Sequence, residues 1–409
     1  MSCIINHRAN KAWHLVAGAA ALLALAPVGS ASAQSLASAG RTSNQVAIGS
    51  ALDSASGRTS AARQSQIDAI RALPVALRSG ALGQLSPQSY TLLPQLAIQS
   101  MDASDTMLHN YIVTRRDIAD EAPATIAMSG NRTINFTLLG DVRQATYKSS
   151  FDRPRATTDS RSIAFAADFS PIPGAIVGVT LGIDGIDARL DAQRPRITYF
   201  NSHIGPYASI VRGKVYVDAN ASYTLSEYKL RRQVEFAGVN DRLHINQDGD
   251  GWAANAETGL MVKRGIARIQ PFVGIHYRYA DVAGFRETGG VSALDVAGYR
   301  TQSLRTGLGA RVSANVKRGS WNIRPSAQAE WRRELLKNPE SRIEFRFSNG
   351  DVLNTFTLLP SQLKKDAAYL SAGITATRNS RTSFRLAYTG ELANDRHING
   401  FVATISRRF

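Results

Sequence analysis

The stretch Trp321-Asn322-Ile323-Arg324-Pro325-Ser326-Ala327-Gln328-Ala329-Glu330-Trp331 decides the fold. Its odd positions are apolar or aromatic and its even positions are all polar: Asn322, Arg324, Ser326, Gln328 and Glu330. A period of two is that of a pleated strand whose two faces meet different surroundings. Ten steps of roughly 3.4 Å, tilted by roughly 40°, project to about 26 Å, the height of a lipid-facing band with an aromatic residue at each edge. The competing reading is a soluble sheet with Trp321 and Trp331 in its core, since aromatics are common in strands.

The same alternation continues on both sides. Ile269, Val273, Ile275, Tyr277 and Tyr279 alternate with Arg268, Gln270, His276 and Arg278. Val215, Val217, Ala219, Ala221, Tyr223 and Leu225 alternate with Tyr216, Asp218, Asn220, Ser222, Thr224 and Ser226, and Leu304, Leu308, Ala310 and Val312 with Arg305, Gly307, Gly309, Arg311 and Ser313. About twelve such segments follow one another, near 132–140, 161–170, 175–188, 196–211, 214–230, 251–263, 266–283, 298–316, 320–335, 362–378, 381–391 and 398–409. Tight turns at Pro171 to Gly174, Arg212-Gly213, Lys263-Arg264-Gly265, Lys317-Arg318-Gly319 and Arg378 to Ser380 alternate with long connections at 141–160, 231–250, 284–297 and 336–361. Short turns at one end and long loops at the other are the pattern of an all-β transmembrane barrel of about 12 antiparallel strands.

The composition agrees. A chain of 409 residues is two or three soluble domains or one large membrane barrel. No run of 18 apolar residues occurs, which excludes a bundle of membrane-spanning helices but not a barrel. The formal charge of +16 raises nucleic-acid binding, yet the cations alternate with apolar residues instead of forming a basic run, so no nucleic-acid partner is expected.

At the start, Arg8 and Lys11, the apolar run Leu15 to Val28 and Ala31-Ser32-Ala33 read as a secretory signal peptide over 1–33, cut after Ala33 and exported by the Sec route. The competing reading is a buried N-terminal helix. The one cysteine, Cys3, lies within that segment, so the mature chain has no disulfide or thiolate site. Residues 34–129 form a second, different text, rich in Ala, Ser, Leu and Gln, with helical spacing at Ile67, Ile70, Leu73 and at Met107, Tyr111, Ile112. Seven arginines there balance seven acidic residues, so the remaining excess of +14 sits wholly in 130–409.

In hydrocarbon only a closed sheet satisfies every backbone group, so the polar faces must line the lumen. Those faces carry Arg268, Arg278, Arg305, Arg311, Arg324, Arg385 and Arg408 together with Asp168, Asp184, Asp218, Glu257, Glu330 and Glu391. Left without partners they are costly, so water, ion pairs or an inserted polar segment must fill the tube. The helical stretch Asp105 to Glu121, with Asp105, His109, Arg115, Arg116, Asp117 and Asp120, is the expected plug; the alternative is a solvated periplasmic helix.

Several stretches together resemble the translocator domain of classical autotransporters, the twelve-stranded barrel of type V secretion. They are Gly83-Gln84-Leu85-Ser86-Pro87-Gln88-Ser89-Tyr90, Gly284-Phe285-Arg286-Glu287-Thr288-Gly289-Gly290 with Ala293-Leu294-Asp295-Val296 and Ser303-Leu304-Arg305, then Ala329 to Leu335, and the final Phe409. The resemblance implies an outer-membrane barrel over 130–409, a junction or short passenger over 34–129, and a monomer in outer-membrane lipid. It also implies delivery by periplasmic chaperones and insertion by the barrel-assembly machinery, which reads a last strand such as Phe401, Ala403, Ile405 and Phe409. Arg407 departs from the family's usual aromatic residue. The family's asparagine pair for cleavage in the pore is missing, because Asn110 is followed by Tyr111. The 96 residues from 34 to 129 show no β-repeat of a long passenger.

Other chemistries are weaker. Asn246, Asp248, Asp250, Gly251 and Glu257 have calcium-loop spacing, but an EF-hand needs flanking helices and this stretch runs into a strand, so a polar loop tip is expected and no metal or cofactor. His276 beside lumen serines could act as a hydrolase base, yet no G-x-S-x-G, H-E-x-x-H or P-loop motif is present and no enzyme activity is expected. The expectation is therefore an autotransporter-type barrel that threads, displays or is plugged by its own N-terminal segment; the alternative is a pore selective for small anions.

Overall fold

The computed structural model describes residues 35–121, 133–149, 155–191, 195–336, 342–348, 355–358, 364–378 and 381–409. The expected signal segment 1–33 lies outside the described residues.

Twelve long strands form the barrel: β1 Ile134–Tyr147, β2 Ala156–Phe169, β3 Ala175–Leu190, β4 Arg196–Arg212, β5 Val215–Phe236, β6 Val239–Leu260, β7 Ala267–Val282, β8 Tyr299–Ala314, β9 Trp321–Glu334, β10 Asp366–Arg378, β11 Thr382–Ala393 and β12 Arg396–Arg408. Each pairs antiparallel with its neighbours in sequence, and β12 returns to β1 with Phe401 opposite Val142 and Ile405 opposite Leu138. The sheet has no free edge around this ring, as a lipid-embedded sheet requires.

The two faces of each strand separate cleanly. On β5, Val215, Val217, Tyr223 and Leu225 are exposed on the outside, while Tyr216, Asp218, Thr224 and Ser226 are buried in the lumen. Beyond Leu225 the outward positions turn polar, at Glu227, Lys229, Arg231, Gln233 and Glu235, so the strand leaves the apolar layer there and continues above it. On β6 the matching switch falls between Trp252 and Asp250, which are paired with Tyr223 and Leu225.

This continuation corrects two expectations. The region 231–250, read as a long loop, is a hairpin that turns only at Ala237 and Gly238. Its alternation persists, but charged residues take the outward places, and charge outside the membrane looks the same in sequence as a loop. The Asn246–Asp250 stretch is consequently strand, not a loop tip. The connections 141–160, 284–297 and 336–361 are also more ordered than read. The strands β1 and β2 close the first to 148–155, and Phe285–Arg286, Leu294–Val296, Ile343–Phe347 and Phe356–Leu358 form a separate four-stranded sheet above the long-loop end.

Three helices pack with that small sheet: α1 Ser43–Ala55, α2 Ala61–Ala72 and α3 Val75–Leu85. Thr42 begins α1 with a capping box, its hydroxyl accepting from the Gln45 amide while Gln45 returns a bond to the Thr42 backbone. Ser60 caps α2 with its hydroxyl accepting from the backbone amide of Arg63. Leu36, Ile48, Leu52, Ile67, Ile70 and Leu82 are fully buried in one cluster with Phe345, Phe347 and Leu358 of the loop sheet. Arg63, also buried, lays its guanidinium 4.0 Å from the Phe347 ring centre. The helical segment and the barrel's own loops thus share one core, which we call the cap.

After a short 3-10 turn at Gln88–Leu92, α4 runs from Leu93 to Glu121 down the barrel axis. Its 29 residues span about 43 Å at roughly 1.5 Å each. It starts twelve residues earlier than the expected Asp105, because Leu93, Leu96, Ala97 and Met101 are buried by lumen and cap instead of forming an exposed amphipathic stripe.

Candidate functional site

The site is the lumen with α4 inside it. Consecutive helix residues point about 100° apart, so a helix enclosed on all sides can address different strands with adjacent residues. Arg115, Arg116 and Asp117 do this. The Arg115 Nε lies 3.0 Å from Asp168 Oδ1 on β2, Arg116 pairs with Asp218 on β5, and Asp117 Oδ1 is 2.6 Å from Arg268 Nη1 on β7. The Arg116 guanidinium also stacks 3.5 Å from the Tyr216 ring centre.

Farther up the helix, one turn faces β7 and β8. Asp102 accepts from Arg278 Nε at 3.1 Å and also pairs with Arg305. Asp105 takes Arg278 Nη2 at 3.1 Å and Asn220 Nδ2 at 2.9 Å. His109 Nε2 meets Arg311 Nη2 at 2.9 Å, and Arg311 in turn pairs with Glu257 at 3.2 Å. On the opposite side Ser104 donates to Asp184 at 2.9 Å, and Asn201 donates to Ser100 at 2.6 Å. Gln99 bridges Tyr147 and Thr158, both at 2.9 Å. Tyr111 pairs with Asp168 and accepts from Asn135 at 2.6 Å.

The lumen residues named from sequence therefore fall in three groups. Arg268, Arg278, Arg305 and Arg311 contact α4 directly, and Glu257 reaches it through His109 at 3.4 Å. Glu330 instead pairs with Arg332 at 3.1 Å, beside His276 at 3.7 Å. Arg324 is buried at a residual cavity of about 20 Å³ together with Asp117 and Arg385. His276 faces Asn255, Asp105 and Glu330. Asn246, Asp248 and Asp250 point away from the lumen on β6 while Glu257 points into it, so the calcium-like spacing does not converge on one point.

A small-anion pore is not supported. Arg268, Arg278, Arg305 and Arg311, which contact α4, are matched with carboxylates, and toward the short-turn end cavities of about 20 and 10 Å³ lie beside the helix among the described residues. A larger space of about 1020 Å³ opens at the long-loop end between α4 and the β8–β12 wall, lined by Arg143, Tyr147, Tyr299, Arg305, Arg332 and Glu391 among others.

The cap is fastened by a second cluster that reading the residues one by one did not find. Arg232 and Glu287 form a two-pronged ion pair at 2.6 and 2.7 Å, with side chains 1% and 0% exposed. Tyr90 donates to the same carboxylate at 2.5 Å, and the Leu294 amide donates to it at 2.9 Å. Arg232 also donates to the backbone carbonyls of Gln84 and Ser292. Burial, with Glu287 alongside, pushes the Tyr90 hydroxyl well above the ordinary tyrosine value, so it stays a donor. Tyr90 ends the first stretch that carried the resemblance and Glu287 lies in the second. Their 197-residue separation hid the contact.

At the lipid face, Trp331 is half exposed and donates to Asp366 at 3.1 Å, while Trp321 lies 5.7 Å from the Arg378 guanidinium near the other end of β9. Phe401, Ile405 and Phe409 all point outward. Phe409 packs edge-on against Phe136 at 6.0 Å, and Arg407 stacks 5.2 Å from its ring.

Comparison with known proteins agrees with this geometry. The family model described as the autotransporter beta-domain matches residues 140–389. An extracellular serine protease of Serratia marcescens is 23% identical over 208 residues, covering 51% of this chain and 20% of that protein. The chain thus spans about a fifth of the curated relatives it matches. The translocator domain of the autotransporter NalP from Neisseria meningitidis superimposes with a TM-score of 0.54 at 12% identity, covering 75% of this chain and 98% of that one. With the family model spanning most of the barrel and the closed ring of twelve strands in place, the chain belongs to the autotransporter beta-domain family, the translocator barrels of the Gram-negative outer membrane.

Proposed function

We propose that this barrel keeps its own N-terminal segment in the pore and presents the folded part of it, residues 35–92, as a non-catalytic cap on the cell surface. The observation that carries this reading is the continuous path of α4, held by strands on all sides, with the cap beyond its N-terminal end. Outer-membrane barrels place long loops outside and short turns in the periplasm, so the cap side faces outward. On this reading Arg268, Arg278, Arg305, Arg311, Arg324, Glu257 and Glu330 serve to seat the helix and close the tube. Trp321 and Trp331 anchor the two interfaces, and Phe401, Ile405 and Phe409 form the strand that the barrel-assembly machinery recognises after Sec export and chaperone delivery. The barrel works as a monomer, because its apolar belt is continuous with lipid on all sides.

The test is protease shaving of intact cells with a tag inserted after Ser35. Loss of the tag from intact cells, with α4 protected, is the expected result. A tag that is cut only after the outer membrane is permeabilised refutes display.

A further inference from the structure

The short-turn end carries an unexplained charge pattern. The sequence Val-Lys-Arg-Gly occurs twice, at 262–265 and 316–319, each time as a turn between barrel strands, and Arg212-Gly213-Lys214 makes a third turn of the same kind. In each, the glycine takes a φ near +60°, a backbone conformation that a side chain strains, so the basic residues occupy the remaining places by choice of chemistry and not of turn geometry. Arg378, Arg381 and Arg407 extend the set. All nine of these cations are exposed, and none of the turn segments 170–174, 212–214, 263–265, 317–319 and 378–381 contains an acidic residue. The opposite end mixes signs, with outward Glu227, Asp248 and Asp281 among its arginines.

The cations stand where the apolar belt stops. Val215, Val262 and Val316 are 46%, 43% and 45% exposed on the outer face, and Lys214, Lys263 and Lys317 are their immediate neighbours. Strand register puts Arg318 opposite Trp321, Trp321 opposite Arg378, Arg378 opposite Thr382, Thr382 opposite Arg407 and Arg407 opposite Phe136. That is one row across β9 to β12 and β1 in which guanidinium groups alternate with Trp321, Thr382 and Phe136 at the edge of the hydrocarbon. Long basic side chains at that depth lay their stems on acyl chains and place the charge among headgroups.

We propose that this row is a binding collar for anionic phospholipid headgroups of the leaflet on the short-turn side. The occupant is a phosphodiester lipid and not an acidic protein, because the charges are continuous with a lipid-facing apolar belt and spread around the rim instead of gathering in one patch. The inference rests on the barrel orientation proposed above, under which that leaflet is the periplasmic one.

Trp321 sits in the collar and serves as its reporter. With Trp13, Trp252 and Trp331 replaced by Phe, it is the one remaining indole of the chain. The full-length variant is reconstituted in phosphatidylethanolamine vesicles containing an equal share of brominated phosphatidylglycerol or brominated phosphatidylcholine. Brominated phosphatidylglycerol is expected to quench Trp321 about threefold more effectively, a preference that vanishes at 1 M salt and in R212Q/K214Q/K263Q/R264Q/K317Q/R318Q. A companion variant that keeps only Trp252, at the other end, is expected to show no such preference. Equal quenching of Trp321 by the two lipids overturns the collar, and the acidic-partner reading then takes its place. The salt series on the chain with its cations intact decides the matter where the sextuple variant does not insert. Should neither lipid quench Trp321 or Trp252, the barrel reading itself fails, which separates the two failures.

Discussion

Glu287→Ala is the sharpest probe of the cap. The substitution removes the carboxylate that holds Arg232, the Tyr90 hydroxyl and the Leu294 amide, and leaves a guanidinium that is 1% exposed without its main counter-charge. Removing one member of such a buried pair costs about 3–5 kcal/mol, because the survivor keeps its desolvation penalty. At about 1.4 kcal/mol per power of ten, the open form of the cap should become about 10² to 10⁴ times more populated. Amide hydrogen exchange in detergent reads this directly: protection in α1 to α3 should fall by that factor, while β1 to β4 of the barrel keep theirs. Replacing both charges, as in R232M/E287M, should recover most of the protection, since an apolar pair leaves no orphaned ion. Protection in α2 and α3 that changes by less than about threefold in Glu287→Ala would refute the reasoning and place the strength of the cap in its apolar cluster alone.

Three further outcomes follow from the same geometry. Planar-bilayer recordings of the mature chain should show a closed tube, and deletion of 34–129 should open a steady conductance; an open pore in the undeleted chain would contradict the plug. Gly251 lies where α4 presses on β6, and a Cβ there would come 2.4 Å from Met101 Cε and 2.4 Å from the Tyr279 carbonyl oxygen, so Gly251→Val should loosen the helix and lower the heat-modifiability transition on gels. Asp102→Asn weakens two arginine contacts at once and should lower the same transition by several degrees, whereas Asp248→Asn, on the outward side of β6, should leave it in place.

The barrel was legible because membrane strands write their environment into alternate positions. Wherever both faces differ in polarity, as at Trp321–Trp331 or Val215–Ser226, the period alone gives strand, face and partner medium. It failed where that contrast disappears. Residues 231–250 keep the strand geometry with polar residues outside, and only the buried Leu230, Val234 and Leu243 betray it. The start of α4 was hidden for the opposite reason: apolar and polar residues alike are buried over 93–97 and 99–101, so no helical stripe marks them. The lumen cations could be named from alternation, since Arg268, Arg278, Arg305 and Arg311 occupy inward positions. Their partners could not, because a helix seated in a tube meets strands as far as 275 residues away in sequence, as at Asn110 and Arg385, and no local pattern encodes such pairings. The Tyr90–Glu287–Arg232 cluster belongs to this class. The two stretches that signalled the family contained two of its three members without saying that they touch.

The fan of Arg115, Arg116 and Asp117 has a mechanical consequence. Withdrawing α4 along its own screw by a single residue toward its N-terminal end would turn each of these side chains by about 100° and present Asp117 to the wall that now holds Arg116, so a carboxylate would meet Asp218. No neighbouring register offers a second resting position, and extraction cannot proceed in small ratcheted steps. Pulled from its N-terminal end in an optical trap, the rod should give way in one abrupt rupture, like a key whose teeth engage every wall of the lock at once.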